Sequence, residues 1–293
     1  MDTLLEGSIP LILYLQGLGE GFAALMKFFT FMGNEDFYLI LFPISYWWID
    51  HNMGIRAGII LLLSGTINTY FKWIFHLPRP HWISTKVIPG APETSFGAPS
   101  GHAQNAVAVW GLIGASLRRP WVWAVSFFLM FMIGFSRIVL GVHFLLDTLL
   151  GWMIGAILLG VFLGLEKPIG NWAVDKPLWF KILCWLLASL GLIFLGVSIK
   201  TAFQTWEIPV LWVENAMIAA PEKLIDPLSL SGVISNAALL FGLGSGYVMI
   251  NALGGFNPKG KISQQILKYI IGIFGVVFIW LGLDLIFPEG ETF

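Results

Sequence analysis

Residues 136–147 read SRIVLGVHFLLD, a stretch that places Arg137, His143 and Asp147 inside an otherwise apolar run. His143 and Asp147 are four residues apart at the start of a predicted helix, so their side chains share one helix face. The Asp147 carboxylate can then accept the Nδ1 proton of His143, which leaves Nε2 of the imidazole free. Ionisable residues at membrane depth are costly and usually functional. The stretch therefore predicts a helical membrane protein with a buried chemical site.

The composition supports that class of protein. Hydrophobic residues make up 57% of the 293-residue chain, charged residues 11%, and mean hydropathy is +0.81, as is typical of polytopic membrane proteins. The net charge of -1 argues against a nucleic-acid partner, which requires a clustered basic surface. The single cysteine, Cys184, excludes an intrachain disulfide. We expect no removable signal peptide, because the first residues lack a basic segment, and no obligate protein partner.

Long apolar runs predict an all-α fold, a bundle of about eight transmembrane helices, because a bilayer core needs about 20 apolar residues per helix. The eight runs are Phe37–Trp48, Gly58–Phe75, Ala103–Leu117, Val122–Phe135, Phe144–Leu165, Phe180–Val197, Ser229–Ile250 and Ile266–Ile286. A further run, Ile9–Met32, is interrupted by Glu20, Lys27 and several glycines. We expect an interfacial or re-entrant helix there rather than a ninth span.

The chain is predicted to form one membrane domain over residues 1–293, since the sequence contains no fixed-period repeat and no linker. Its parts are an interfacial N-terminal segment (1–35), a catalytic helical core (36–165) and additional transmembrane helices (166–293) with an outward loop at 200–228. Three prolines break that loop into a folded segment. We expect it to act as a lid in which Trp206 or Trp212 contacts a lipid tail.

Alternate loops carry most of the lysines and arginines, and such loops are usually cytoplasmic. Their cations are Arg56, Arg118, Arg119, Lys167, Lys176, Lys259 and Lys261. The intervening loops, including residues 76–101 and 136–142, are then expected to face outward. We favour a bacterial plasma membrane with an outward-facing site, and an internal eukaryotic membrane with a lumenal site is the alternative.

Four cations, Lys72, Arg79, Lys86 and Arg137, lie in or beside the outward loops, against the usual charge rule. Lys72, Arg79 and Arg137 have little matching acid nearby, so we expect them to bind a multiply charged anion. Phosphate fits best, because an arginine fork matches its oxygens and a lysine supplies a point charge. Ser100 and Gly101 precede an apolar run at a predicted helix N-terminus, where free amides and the helix dipole also favour an oxyanion.

These groups together indicate phosphoryl hydrolysis without a metal. His143 can attack phosphorus, Asp147 can orient it, and His102 can protonate the leaving oxygen and later activate water. The cations would stabilise the transferring group. No set of His, Cys or carboxylate residues has metal-ligand spacing once these roles are assigned, so we expect neither a metal nor another cofactor.

The pattern resembles the three-part phosphatase sequence of the type 2 phosphatidic acid phosphatase (PAP2) superfamily. Its parts are Lys72, six residues, Arg79-Pro80; Pro99-Ser100-Gly101-His102; and Ser136-Arg137, five residues, His143, three residues, Asp147. The resemblance implies a PAP2-type helical bundle, with phosphate held by Lys72, Arg79, Ser100, Gly101 and Arg137. It also implies the catalytic roles given above for His143, His102 and Asp147, and a non-cytoplasmic site. The segments FPISYWW (42–48), NTYFKWIFHLPRPHW (68–82) and ETSFGAPSGHAQNAVAVWG (93–111) are also similar to the glucose-6-phosphatase and sphingosine-phosphate phosphatase branches.

Other polar residues beside the motifs are weaker candidates. His76 and His81 flank the arginine motif and are possible substrate contacts. Glu93 is expected to shape the entrance and to hydrogen-bond Lys72 or a substrate hydroxyl.

The preferred function is hydrolysis of a phosphomonoester or pyrophosphate, with a phosphorylated lipid as the partner. Phosphatidate, phosphatidylglycerol phosphate, a polyprenyl diphosphate and sphingosine phosphate are all candidates. A sugar phosphate of the glucose-6-phosphatase type is an alternative substrate. A transporter of organic phosphate or another anion is a second class, which the lack of matching broken helices in two halves disfavours.

Overall fold

The computed structural model describes residue 5 and residues 7–286, so the ends of the chain, including the acidic C-terminal tail, lie outside the described residues. The described chain folds into α-helices, as the apolar runs predict. They are α1 (Ile9–Gln16), α2 (Glu20–Phe31), α3 (Glu35–Ile44, continued by a π-helical turn at Ser45–Ile49), α4 (His51–Phe75), α5 (Pro80–Ile83), α6 (Gly101–Leu117), α7 (Pro120–Val139), α8 (Leu145–Ala173), α9 (Leu178–Ala202), α10 (Val210–Ala219), α11 (Ser231–Ala252) and α12 (Ile262–Ile286).

Helix α6 is the centre of the bundle, packed against α4, α7 and α8. Two glycines of α8 let it approach α6 closely. A Cβ at Gly151 would lie 2.5 Å from the backbone oxygen of Ser100, and one at Gly155 would lie 2.7 Å from that of Gln104. Close packing of this kind is a usual role of small residues in membrane helices. It holds the N-terminus of α6 beside the first turn of α8.

Among the described residues, six helices are long and apolar enough to cross a membrane, with the span of α4 continuing into α5. The expected eight included two further runs, which form the shorter helices α3 and α6. Helix α6 has 17 residues and begins with polar side chains, among them Gln104, which is fully buried. It lies among other helices, so protein contacts satisfy its polar groups.

The N-terminal helices α1 and α2 meet at an angle of 108°. Glu20 begins α2 and Gly19 precedes it with a φ of 98°, a left-handed conformation that glycine adopts at low cost. Both helices pack against α7. This bent pair has the shape of a broken span or a re-entrant loop.

Large apolar side chains cover the outside of the bundle. Phe127, Phe194, Phe274 and Phe278 are each more than 60% exposed, which water would not tolerate over so wide a surface. The chain is therefore an integral, multi-pass membrane protein.

Different interactions fasten the helices at the two ends of the bundle. At one end, the Arg56 guanidinium forms two hydrogen bonds with the Glu166 carboxylate, of 2.7 and 2.9 Å, and joins α4 to α8. At the other end, the segment after α9 folds back with α10 against α5. The Trp73 indole donates to the Pro227 backbone oxygen at 2.9 Å, so this outer loop is fastened to the end of α4.

Candidate functional site

The three polar motifs meet at the α10 end of the bundle. The first lies at the end of α4 and in α5, the second begins α6, and the third joins α7 to α8. The backbone N–H of Ser100 donates to the backbone oxygen of Asp147 at 2.9 Å, which ties the second motif to the third. Residues that are up to 75 positions apart in sequence therefore line one site.

Arg79 is fully buried and anchors the site. Its Nε donates to the Ser95 backbone oxygen at 2.6 Å, and Nη1 donates to the Val142 oxygen at 3.0 Å. Nη1 also lies 3.3 Å from Nε2 of His143. Because a guanidinium has only donors, Nε2 must accept this bond with its lone pair.

The tautomer of His143 follows from that contact. With Nε2 as acceptor, the ring proton is on Nδ1, which lies 3.2 Å from Oδ2 of Asp147. The same carboxylate oxygen accepts the Phe144 amide at 2.9 Å, which fixes its position. Burial, and then the Arg79 charge, lower the pKa of His143 well below its usual range. The imidazole is therefore neutral near pH 7, with its Nε2 lone pair directed at the arginine.

Glu93 bridges the two arginines. Its Oε2 accepts from Nη2 of Arg79 at 2.6 Å, and its Oε1 accepts from Nη2 of Arg137. Burial by itself would raise the pKa of Glu93, but the charges of Arg79, Arg137 and Lys72 outweigh it and hold this pKa well below the usual range. The two arginines and Lys72, which we call the anion clamp, therefore hold a carboxylate.

The sequence predicts that Glu93 shapes the entrance and hydrogen-bonds Lys72 or a substrate hydroxyl, whereas its described hydrogen bonds are to the two arginines. The Lys72 ammonium donates to the Ser95 hydroxyl at 2.8 Å, while the paired oxygens of Glu93 match the forked donors of the arginines better than a single ammonium does. Lys72 remains 6% exposed at the edge of the clamp.

The N-terminus of α6 adds uncharged donors. Ser100 and Gly101 begin the helix, so first-turn amides there have no partner within the helix. A Cβ at Gly101 would lie 3.2 Å from the Asn68 side-chain oxygen, which explains why glycine fits here. The Asn68 amide donates to the Pro99 oxygen and to the Gln104 side chain, at 3.2 and 2.9 Å. These bonds hold the turn before α6.

His102 faces the clamp from the first turn of α6. Its Nδ1 lies 3.8 Å from Oε1 of Glu93, and its Nε2 lies 2.7 Å from Oδ1 of Asn34. Asn34 therefore orients the ring so that Nδ1 is the nitrogen closer to any anion in the clamp.

The N-terminal segment supplies two groups that the sequence did not predict. Besides Asn34, the Thr30 hydroxyl accepts a 2.6 Å hydrogen bond from Nη1 of Arg137. Residues before position 36 therefore contact an arginine and a histidine of the motifs. Ser95, Asn68 and Gln104 were also missed, and the only available signal was their polarity within or beside apolar runs.

His76 and His81 flank the clamp. The His76 ring packs on Trp206, with centroids 4.4 Å apart, and also contacts Phe96 and Phe203. His81 is only 1% exposed. Neither side chain is hydrogen-bonded to the arginines among the described contacts, and contact of either histidine with the substrate stays a prediction.

The outer loop is more tightly packed than an open lid. Trp206 lies against Phe96, and Trp212 lies 6.2 Å from Trp82, measured between ring centroids. The Asn215 amide donates to the Trp82 oxygen at 3.0 Å. The two tryptophans hold the loop against the motif-bearing segment.

Two buried donors of the site have no partner within the described chain, namely Nε of Arg137 and the hydroxyl of Ser100. Buried donors are normally satisfied, so both favour an additional acceptor such as a phosphate oxygen. Within residue 5 and residues 7–286, no three His, Cys, Asp or Glu side chains are grouped to hold a metal ion. The three cations of the clamp would moreover repel one.

Known proteins are similar in sequence to this chain. Human glucose-6-phosphatase 2 is 25% identical, over 88% of this chain and 81% of its own length. Dihydrosphingosine 1-phosphate phosphatase of Saccharomyces cerevisiae is 26% identical, over 54% of this chain and 42% of its own.

The fold is also shared with a solved structure. The transmembrane PAP2-type phosphatidylglycerolphosphate phosphatase of Bacillus subtilis aligns with a TM-score of 0.50 and 22% identity, over 58% of this chain and 89% of that one. Residues 54–168 match the PAP2 superfamily model, and residues 234–293 match that of the PAP2 superfamily phosphatase transmembrane extension. The two matches cover more than half of the chain and include every motif residue. This protein therefore belongs to the PAP2 superfamily.

Proposed function

We propose that this protein is a metal-independent membrane phosphatase that hydrolyses a lipid phosphomonoester or pyrophosphate through a phosphohistidine at His143. The observation that carries the proposal is the lone pair of His143 Nε2, which lies against Arg79 in a clamp that already binds a carboxylate. A transporter would need the cations but not a neutral imidazole paired with a buried aspartate.

The reaction is proposed to run in two steps. With the phosphate anion bound, His102 is an imidazolium whose Nε2–H donates to Asn34 and whose second proton is on Nδ1. In the first step, Nε2 of His143 forms a bond to phosphorus, the ester P–O bond breaks, and this Nδ1 proton passes to the leaving oxygen. Second, His102 removes a proton from water, the new hydroxide attacks phosphorus, and the N–P bond breaks to release inorganic phosphate. Asp147 stabilises the positive imidazole in the first step, and the clamp stabilises the phosphoryl oxygens in both.

The substrate is proposed to be a lipid, since the site lies at the end of a helical bundle that is covered with apolar side chains. Phosphatidate, phosphatidylglycerol phosphate, a polyprenyl diphosphate and sphingosine phosphate all present a phosphate at that depth. A sugar phosphate is the second candidate, because the glucose-6-phosphatase relatives match over most of this chain. We propose an outward-facing site in a bacterial plasma membrane, with a lumenal site in an internal eukaryotic membrane as the alternative.

The first expected result is phosphate release by the detergent-purified protein in EDTA. The clamp is cationic, so a divalent ion has no role in neutralising the phosphate. Vanadate should inhibit, because it can adopt the geometry of the transferring phosphoryl group. The measurement is phosphate release from each lipid candidate and from glucose 6-phosphate, with and without vanadate. Loss of all turnover in EDTA and its return with Mg²⁺ would overturn the metal-free mechanism, while the preferred compound identifies the substrate.

The second expected result concerns Glu93, whose carboxylate occupies the clamp where phosphate would bind. Glu93→Gln removes the competing charge, so we expect about tenfold tighter inhibition by vanadate, equivalent to about 1.4 kcal/mol. The free variant should also melt at a lower temperature, because two buried arginines lose their counter-ion. Vanadate inhibition and thermal unfolding, with and without vanadate, measure both effects.

Asp175→Asn is the matched control for that variant. Asp175 is exposed just after α8, at the end of that helix away from the clamp, so its substitution removes the same charge without touching the arginines. It should leave vanadate inhibition and the melting temperature unchanged. Equal or weaker vanadate inhibition in Glu93→Gln would mean that Glu93 supports anion binding rather than competing with it.

A further inference from the structure

A cavity of about 620 Å³ lies in the membrane part of the bundle, between α3, α4 and α11. Its walls are almost entirely apolar, with side chains such as Phe42, Leu62 and Leu239. The volume lies within the range of about 300–1,000 Å³ that is usual for small-molecule sites. The cavity is separate from the anion clamp, and the catalytic steps above do not use it.

Glycines line this space on two facing helices. Gly54, Gly58 and Gly65 line it from α4, and Gly242 and Gly246 line it from α11. A Cβ at Gly242 or Gly246 would meet no atom within 4 Å. The α11 glycines therefore border open volume rather than a close helix contact.

One end of the cavity lies beside the anion clamp. Glu35 and Asn105 line that end, and Glu35 follows Asn34, which is hydrogen-bonded to His102. Asn105 is three residues after His102 on α6, which is less than one helical turn away. An elongated molecule in the cavity would thus have its near end close to His102.

The cavity extends from there toward the opposite membrane face. Its α4 wall runs from Gly65 to Gly54, about 16 Å at a rise of about 1.5 Å per residue. This is about half of a bilayer core of about 30 Å, the depth that the chains of one leaflet occupy. At about 30 Å³ for each group the size of a water molecule, the volume suits one chain of roughly twenty methylene-sized groups.

A few polar residues border this apolar space, namely Glu35, Tyr38, Tyr46, Asn105, Asn236 and Tyr247. Tyr38 lines the cavity and is 1% exposed, and its hydroxyl has no hydrogen-bond partner in the described part of the chain. A buried hydroxyl without a partner is costly. Because this hydroxyl is closed off from the cavity, the wall that a bound chain would contact stays apolar there.

We propose that this cavity binds the hydrocarbon chain of a single-chain lipid phosphate whose phosphate is bound in the anion clamp. The inference rests on the proposed phosphatase function and narrows its substrate to an amphiphile with one long chain. A sugar phosphate would leave the cavity unused.

The test measures kcat/KM for ethyl, butyl, octyl and dodecyl phosphate, each below its micelle-forming concentration. Every methylene group moved from water into the cavity should raise kcat/KM about fourfold in the wild-type protein. Gly242→Leu places a side chain in the cavity without a backbone clash. In this variant the increase should stop after butyl phosphate, with ethyl phosphate hydrolysed at the wild-type rate.

Gly164→Leu is the matched control, because a Cβ there also meets no atom and the position is on α8, away from the cavity. It should follow the wild-type protein at every chain length. A wild-type rate that does not depend on chain length, or a Gly242→Leu profile equal to that of the wild type, would overturn the proposal.

Failure of the phosphatase function itself would look different, since no protein would then release phosphate from any ester. Equilibrium binding of radiolabelled dodecyl phosphate to the wild-type and Gly242→Leu proteins then tests the cavity alone. Weaker binding to Gly242→Leu would support the chain site, and equal binding would refute it.

Discussion

Replacing His143 with alanine is expected to abolish phosphate release, with a loss on the order of 10⁴-fold or more, because the reaction loses its nucleophile. Nε2 of His143 faces the clamp through Arg79, and Nδ1 faces Asp147. No other neutral imidazole lies against Arg79 among the described hydrogen bonds. Phosphate release in EDTA, measured on the preferred substrate, checks the loss.

The loss of phosphate release can be assigned to the chemical step only if phosphate still binds to this variant. Arg79 keeps its bonds to Ser95, Phe96 and Val142, so radiolabelled phosphate should still bind to His143→Ala. His51→Ala, at the opposite end of α4, is the control that should retain full activity. Acid-labile label on the wild-type protein, absent from His143→Ala, would identify the phosphohistidine. Wild-type turnover by His143→Ala would exclude His143 as nucleophile.

The parts of the site that are close together in sequence could be predicted, because helix geometry alone brings their side chains together. His143 and Asp147 are one helical turn apart, and that distance alone puts a carboxylate beside an imidazole. The same holds for Ser100 and Gly101, whose small side chains mark a helix N-terminus. The family resemblance then joined these local motifs into one expected site.

The long-range parts could not be predicted in this way. Thr30 contacts Arg137 across 107 positions, and Asn34 contacts His102 across 68. The glycines and Glu20 of the Ile9–Met32 run mark where its bend lies, but nothing in the run indicates which face meets α7. Glu93 illustrates the same limit, because its choice of the arginines over Lys72 depends on the path of the loop at residues 84–100.

The number of transmembrane spans was predicted inaccurately for a different reason. Counting apolar runs assumes that each helix faces lipid, yet α6 lies inside the bundle and carries the buried Gln104 and the half-buried Asn105. The Gln104 amide donates to the Ser64 oxygen at 2.8 Å, which satisfies a polar group that lipid could not. A protein-lined helix can therefore be shorter and more polar than the rule for a single span allows.

Replacing His102 with alanine is expected to lower activity by an amount that depends on the leaving group. General acid catalysis contributes about 10²–10⁴-fold when the leaving oxygen needs a proton, as an alkyl alkoxide does. The leaving group of para-nitrophenyl phosphate is stable as an anion and needs none. The His102→Ala defect in the first step should thus be large for alkyl phosphates and small for the nitrophenyl ester.

A pre-steady-state experiment with excess para-nitrophenyl phosphate separates transfer of the phosphoryl group to His143 from the second step, in which His102 activates water. The nitrophenolate burst of His102→Ala should be close to wild type, followed by slow release of phosphate from the accumulated phosphoenzyme. Asn34→Ala, which removes only the 2.7 Å partner of His102, should show the same dependence on leaving group with a smaller loss. A substitution that merely loosened the fold would reduce both esters equally. An equal loss for the alkyl and nitrophenyl esters, with no burst, would therefore remove His102 from the acid role.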